Sequence, residues 1–399
     1  MVSIEDIRQA AARVKGAIRP TPLDRSDNLS RFLGRPVALK PEHLQRTGSF
    51  KIRGATNLVS RLPPGTEVVA ASAGNHAQGV ALAAAQAGLA ATIFMPRSAA
   101  LPKVEATRNY GATIHLGGDT VDDAIAAGRA YAAARPGARF VPPFDDPLVI
   151  AGQGTIGLEL AEEAPDAEVV VVPVGGGGLI SGVATALAGA GSTARVVGVE
   201  AEGAACMTAS LAAGRPVTLP GVSTMADGIA IKGPSDLTFE HVRVHVDEVV
   251  TVDEDEISRA VVLLVERAKS VVEPAGAVSL AALMAGKIRG TGLAVALLSG
   301  GNVDPFLLLR LIDRGLSASG RYLILRVLLS DRPGALAGLT ARVAAMELNI
   351  LAVEHHRSGM QLAVEQVEVV LTVETRDPEH RDAVVEGLRE AGYWVELVR

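Results

Sequence analysis

Val169-Val170-Val171-Val172-Pro173-Val174-Gly175-Gly176-Gly177-Gly178-Leu179 decides the fold class. Val169–Val174 has no polar member, so it reads as a strand covered on both faces, the pattern of a parallel sheet. A helix is expected directly after it, from Leu179 to Leu187. Four consecutive glycines are more than a strand-to-helix turn needs. They leave backbone N–H groups uncovered, and the helix that follows adds its positive end, so the turn is an anion site built from backbone. Glu200, at the end of the next strand, favours a dinucleotide, but Gly-x-Gly-x-x-Gly is absent because positions 175, 177 and 180 read Gly, Gly, Ile. The P-loop signature is absent too. A phosphate belonging to neither a dinucleotide nor a nucleoside triphosphate fits better.

Strands and helices alternate on both sides of this stretch. Upstream, Ser3-Ile4-Glu5-Asp6 starts a helix that Pro20 and Pro22 end; Asp27–Phe32 is a helix and Val37–Lys40 a strand. A helix is expected over Gly54–Arg61, after Lys51, with strands at Glu67–Ala71, Ala91–Met95 and Thr113–Leu116 and helices at Lys103–Tyr110 and Val121–Arg135. Downstream come strands Val196–Val199 and Ala294–Leu298, then a helix over Pro305–Arg314. This is an α/β fold with mainly parallel sheets. Beyond a small polar linker, Gly315–Gly320, the order changes to strand Tyr322–Leu329, helix Gly334–Glu347, strands Ile350–Arg357 and Val364–Val373 around a Ser358-Gly359 loop, helix Pro378–Ala391 and strand Tyr393–Val398. That βαββαβ order is a separate ferredoxin-like domain.

The bulk numbers exclude several classes. The 399 residues carry a net charge of -6 with both signs scattered, and no basic stripe suited to nucleic acid. The single cysteine, Cys206, excludes an intrachain disulfide and fits a reducing cytoplasm. Glu5 and Asp6 stand where a signal peptide needs basic residues. Gly79 to Met95 imitates a membrane span, but it is alanine-rich, is broken at Gly88 and ends at Pro96. It reads as a helix followed by a strand.

Two further stretches bear on chemistry. Thr47-Gly48-Ser49-Phe50-Lys51-Ile52-Arg53-Gly54-Ala55 sets a lysine between apolar Phe50 and Ile52, with Arg53 adjacent. A Schiff-base lysine must be partly neutral, which such surroundings permit. Ser72-Ala73-Gly74-Asn75-His76-Ala77 is a polar loop after a strand. The Asn75 amide can donate to the phenolic oxygen of a pyridoxal ring, and Ser72 with the N–H groups of Ala73, Gly74, Asn75 and His76 can hold a substrate carboxylate. An Asn turn, and a His76 that caps the next helix, are the plainer alternatives. An amine, a polar loop and a phosphate cradle are the parts of a site for pyridoxal 5'-phosphate. Ser299, after its strand, could face the ring nitrogen. A neutral hydroxyl there makes the ring a weaker electron sink than a carboxylate would, which favours loss of a group from Cβ over transamination.

Gln45-Arg46-Thr47-Gly48-Ser49-Phe50-Lys51-Ile52-Arg53-Gly54-Ala55, Ser72 to Gly79, Gly175 to Leu179 and Ser299-Gly300-Gly301-Asn302 occur in this order over the first 315 residues. In these motifs the chain resembles the threonine dehydratases (threonine ammonia-lyases) of the fold-type II pyridoxal phosphate family, with a C-terminal ACT domain. The resemblance implies a catalytic domain over 1-315, with a smaller subdomain at roughly 46-146 inserted in it, and a regulatory domain over 321-399. It implies that Lys51 holds the cofactor and removes the Cα proton, with Ser49 and His76 close by. Phe50 and Asn75 would contact the ring, Gly175, Gly176, Gly177, Gly178 and Leu179 the phosphate, and Ser299 the ring nitrogen. The substrate would be L-threonine, with L-serine as a side substrate, and the products 2-oxobutanoate and ammonia.

Serine racemases share most of these motifs but carry a second serine where this chain has Ala73, which argues against racemisation. Those relatives also bind a cation around positions matching Glu200, Ala204 and Cys206; cysteine replaces an expected acid, so no metal is assigned. Asp331-Arg332-Pro333-Gly334-Ala335-Leu336 and Asn349 resemble the ligand loop of ACT domains. That implies an amino-acid effector, isoleucine or valine, bound where two such domains pair in a homodimer or homotetramer, against the alternative of passive dimerisation. Other outcomes for the same motifs are β-replacement and a catalytically inactive amino-acid sensor.

Overall fold

The computed structural model describes residues 1–357 and 365–398. The chain divides into two compact units, Met1–Leu309 and Arg310–Arg399.

The first unit holds β1 (Asp24–Arg25), β2 (Val37–Lys40), β3 (Glu67–Ala71), β4 (Ala91–Met95), β5 (Thr113–Leu116), β6 (Ala138–Phe140), β7 (Ala167–Pro173), β8 (Arg195–Ala201), β9 (Glu248–Val252) and β10 (Leu293–Leu297). They form two sheets. The larger has the order β1-β2-β10-β7-β8-β9 and is parallel except at the β1–β2 edge. The smaller, β5-β4-β3-β6, is wholly parallel and comes from one continuous stretch of chain. The valines of β7 are buried at the centre of the large sheet, as a two-sided apolar strand must be.

Several elements depart from the sequence reading. The helix expected over Gly54–Arg61 runs Lys51–Val59, so the lysine is its first residue. Residues 315–318 of the expected linker continue the preceding helix, which extends over Pro305–Ala318, and only Ser319 and Gly320 form a turn. Leu311 and Gly315 are its buried positions, four apart on one face. Helices Pro147–Glu163, Cys206–Ala213, Asp236–His245, Glu254–Leu263 and Pro274–Met284, and β9, fill stretches that had no assignment. Pro147–Glu163 is buried along most of its length and crosses Gly178–Gly189 closely; a Cβ on Gly157 would stand 2.6 Å from the Val183 carbonyl oxygen.

One buried ionic cluster ties the Lys51 helix to its surroundings. Arg53 forms a two-pronged pair with Glu42, at 2.7 and 2.8 Å, and bonds Glu159 at 2.6 Å. Lys40 lies 2.7 Å from Glu159 and 2.8 Å from Glu163. Arg53, Lys40 and Glu42 are all buried.

In the second unit, β11 (Tyr322–Ser330), helix Ala335–Ala345, β12 (Ile350–His356), β13 (Gln366–Glu374), helix Pro378–Glu390 and β14 (Trp394–Leu397) follow the expected βαββαβ order. The sheet is antiparallel, β12-β13-β11-β14, around a core that includes Leu325, Val327, Leu339, Val369, Leu371 and Leu388. The expected Ser358-Gly359 loop and the residue Val364 lie outside the described residues. Among the described residues no helix is long and apolar enough to cross a membrane. The membrane-like stretch 79–95 divides between helix Asn75–Gln86 and β4.

Candidate active site

Lys51 is set by two loops that are bonded together. The Phe50 N–H donates to the Ser299 carbonyl at 3.1 Å, Ser49 bridges to Gly300, and the Gly301 N–H donates to the Gly48 carbonyl at 2.9 Å. Gly48 has φ +70, and a side chain on it would overlap Asn302, so this crossing requires glycine. Lys51 Nζ donates to the Pro143 carbonyl at 3.0 Å and stands 5.1 Å from the centre of the Phe50 ring. Burial of this amine pushes its pKa down to about 8, against the opposing pull of the Glu273 charge.

The glycine run follows β7 and opens helix Gly178–Gly189, whose N-cap Gly177 has φ 87 and supplies no capping side chain. A Cβ on Gly176 would overlap the Phe144 ring, and one on Gly178 would come 2.7 Å from Phe144 Cβ. Pro143 and Phe144 therefore connect the two centres: one receives the lysine amine, and the other packs on the glycines. The first N–H groups of a helix lack intrahelical partners, so this turn offers donors and a positive dipole end without any side chain. Leu179, the second residue of that helix, is buried.

In the polar loop, Ser72 Oγ accepts from the Gly74 N–H at 3.1 Å and closes a tight turn over Ala73. Asn75 begins helix Asn75–Gln86. His76 does not cap it. The ring is buried in the first turn, with Nε2 2.9 Å from the Val141 carbonyl, and burial and the Lys51 charge push its pKa down to about 3. His76 is thus a neutral ring whose Nε2–H is committed to Val141. Asn75 Oδ1 accepts from Asn302 Nδ2 at 2.8 Å, and Asn75 Nδ2 donates to Glu273 Oε1 at 2.6 Å. Ser299 is buried, and its hydroxyl makes only a long contact, 3.5 Å, with the Ala275 carbonyl.

Lys51, Asn75, Ser299 and their loops are therefore brought together, with the glycine run connected through Phe144. Sequence reasoning missed Glu273, Pro143 and Phe144. Glu273 had a signal: it is the lone charge in the apolar stretch 271–285, and a carboxylate is not buried among such residues without a partner. Burial and Asp227 raise its pKa to about 7.

Glu200 caps helix Cys206–Ala213, accepting from the N–H groups of Met207 at 2.7 Å and Thr208 at 2.8 Å. Burial pushes the Cys206 thiol up to about 12. Among the described residues no group of three or more His, Cys, Asp or Glu could hold a metal ion. In the second unit Gly334 is the N-cap of helix Ala335–Ala345 with φ 88, Ala335 and Leu336 form that helix's first turn, Asp331 lies 3.5 Å from Arg357, and Asn349 donates to Glu374 at 3.0 Å.

Residues 14–300 match the family model described as pyridoxal-phosphate dependent enzyme. The chain belongs to this family. Residues 323–391 match the ACT domain model. An L-threonine ammonia-lyase of Thermotoga maritima is 48% identical, with 100% of both chains covered. A catabolic L-threonine dehydratase of Escherichia coli is 45% identical over 76% of this chain and 94% of its own length. Among solved structures, a T.th. threonine deaminase aligns with TM-score 0.72 and 42% identity, covering 76% of this chain and 99% of its own. Maize serine racemase aligns with TM-score 0.72 and 35% identity, covering 79% and 98%.

The residues present fit the cofactor of the pyridoxal-phosphate dependent enzymes. A half-buried lysine amine of lowered pKa suits a carbonyl partner. An uncapped glycine turn at a helix N-terminus suits a phosphate. The weakly engaged hydroxyl of Ser299 retains capacity for one more polar atom.

Proposed function

We propose that the chain is a pyridoxal-phosphate dependent lyase that converts L-threonine to 2-oxobutanoate and ammonia. The observation that carries this reading is the half-buried Lys51 amine, lowered to about 8 in pKa, and one dipeptide away from a bare-backbone anion site. The relatives named for threonine deamination support the choice of substrate.

When bound, the cofactor supplies a conjugated ring that stabilises negative charge at the substrate Cα. Lys51 Nζ would hold it and, once released, take the Cα proton. The N–H groups of Gly175, Gly176, Gly177, Gly178 and Leu179 would hold its phosphate. Asn75 Nδ2 would donate to its phenolic oxygen, Phe50 would pack beside the ring, and Ser299 Oγ would face the ring nitrogen without adding positive charge, so the β-hydroxyl leaves in preference to transamination. Ser72 and the N–H groups of Ala73, Asn75 and His76 would hold the substrate carboxylate, with the Gly74 N–H turned onto Ser72 Oγ unless the carboxylate displaces it. His76, neutral and with its Nε2–H committed to Val141, would not serve as the base.

The second unit would bind isoleucine or valine near Asp331, Gly334, Ala335, Leu336 and Asn349 and alter turnover. A homodimer or homotetramer, a cytoplasmic location and slower turnover of L-serine complete the reading.

The test is direct. Lys51→Ala should lose both the absorbance band of bound cofactor and 2-oxobutanoate formation from L-threonine; normal turnover in that variant would overturn the reading. D-serine as the main product from L-serine would favour racemisation instead.

A further inference from the structure

Glu273 has no part in the roles above, yet its carboxylate lies at the end of a fixed hydrogen-bond relay. Asn302 Nδ2 donates to the Thr47 carbonyl at 2.7 Å and to Asn75 Oδ1 at 2.8 Å. The Thr47 carbonyl can only accept, so the donor end of Asn302 is assigned. Asn75 must then present its oxygen to Asn302 and its nitrogen to Glu273 Oε1, 2.6 Å away. An Asn amide is nearly symmetric in shape, so partners of this kind decide which way it faces.

Glu273 is built for this task more than for its own helix. It is the N-cap residue of Pro274–Met284, yet its side chain makes no capping bond. It turns toward Asn75, and its backbone N–H donates to the Gly300 carbonyl at 3.1 Å. A Cβ on Gly300 would overlap Glu273 Oε1 and stand 3.0 Å from Asn75 Nδ2, so the glycine next to Ser299 makes room for the contact. The charged groups that act on Glu273 are Asp227 and Lys103, which pair with each other at 2.8 Å, and Lys51.

We propose that Glu273 is a positioning residue: by accepting one hydrogen of Asn75 Nδ2 it holds the other aimed at the phenolic oxygen of the cofactor, and it acts on the cofactor only through Asn75. This rests on the reading of Asn75 as a cofactor contact. An amide with one N–H engaged and its oxygen engaged has a single free donor and a single direction for it.

The test is a double-mutant cycle on cofactor affinity, measured by equilibrium dialysis of the holoenzyme. Asn75→Ala and Glu273→Ala should each raise the cofactor Kd about tenfold, the size expected when a partner that orients a ligand is lost. The double variant should bind no more weakly than Asn75→Ala alone. Glu273→Gln, which retains an acceptor oxygen, should stay within about threefold of the unsubstituted enzyme. Glu273→Leu, of similar volume without an acceptor, takes the place of alanine in the cycle if Glu273→Ala melts early. An unchanged Kd in the Glu273 variants, or a Glu273 effect that persists in the Asn75→Ala background, overturns the proposal. An unchanged Kd in Asn75→Ala overturns the reading of Asn75 itself.

Discussion

Arg53 is a cation without access to water, held by two carboxylates on different elements. Such a cluster adds little over well-packed apolar residues, but removing one member leaves uncompensated buried charge. Arg53→Met is expected to cost about 3–5 kcal/mol in denaturant unfolding, and Arg53→Lys to be poorly tolerated because an ammonium cannot reproduce the two-pronged bond to Glu42. Lys51 makes a different claim. With its amine lowered to about 8, cofactor capture by apoenzyme, followed by absorbance, should quicken as pH rises through about 8 and level off above it. His43 and His76 are both buried and pushed down by burial, to about 4 and about 3. The unfolded chain takes up protons near pH 6.5 that the folded chain refuses, so stability is intact above about 6.5 and falls below it by about 1.4 kcal/mol per pH unit for each ring. Denaturation midpoints between pH 7 and 4.5 measure this, and His43→Gln should flatten the slope. At this scale Lys51, Asn75 and Ser299 were legible as candidates because their chemistry is written in residue type, and the structure brings their loops together. The helix after Lys51 was legible but its start was not, since Gly48 and Gly54 on either side obscure it.

Among elements, the strand–glycine–helix stretch was the most legible, because an apolar run and four glycines each have few other uses. Its tolerance should be correspondingly small. Gly178→Ala forces a Cβ to 2.7 Å from Phe144 Cβ at a site where two backbones already meet. We expect loss of most cofactor occupancy with a drop in melting temperature, read by dialysis and by calorimetry. Alanine at Gly214, where no atom lies within 4 Å of the added Cβ, should cost only the strain of its φ of +68, about 1 kcal/mol, and leave cofactor binding unchanged. Helices Pro147–Glu163 and Pro274–Met284 escaped sequence reading for one physical reason. Both are buried along most of their length, so neither shows the polar face that makes a stripe visible. Glu273, at the head of the second of these helices, stood out as a lone charge, but its meaning depends on a partner 198 residues away.

For the whole molecule, the two units have separate cores. A chain ending at Ala318, which preserves helix Pro305–Ala318, is expected to fold, bind cofactor and form 2-oxobutanoate while losing any response to isoleucine or valine; a threonine turnover assay with each amino acid decides it. The large sheet of the first unit is assembled from distant parts of the chain. β2, near the N-terminus, takes as its parallel neighbour β10, with Val37 opposite Ala294. During synthesis that neighbour does not yet exist. For the time needed to translate about 250 residues, at ribosomal rates of about 5–20 residues per second, the early strand has one flank open to strangers. Expression should therefore be more sensitive to pauses between the codons for Lys40 and Leu293 than to equally long pauses after them, and a trigger-factor-like holdase should help most in that interval.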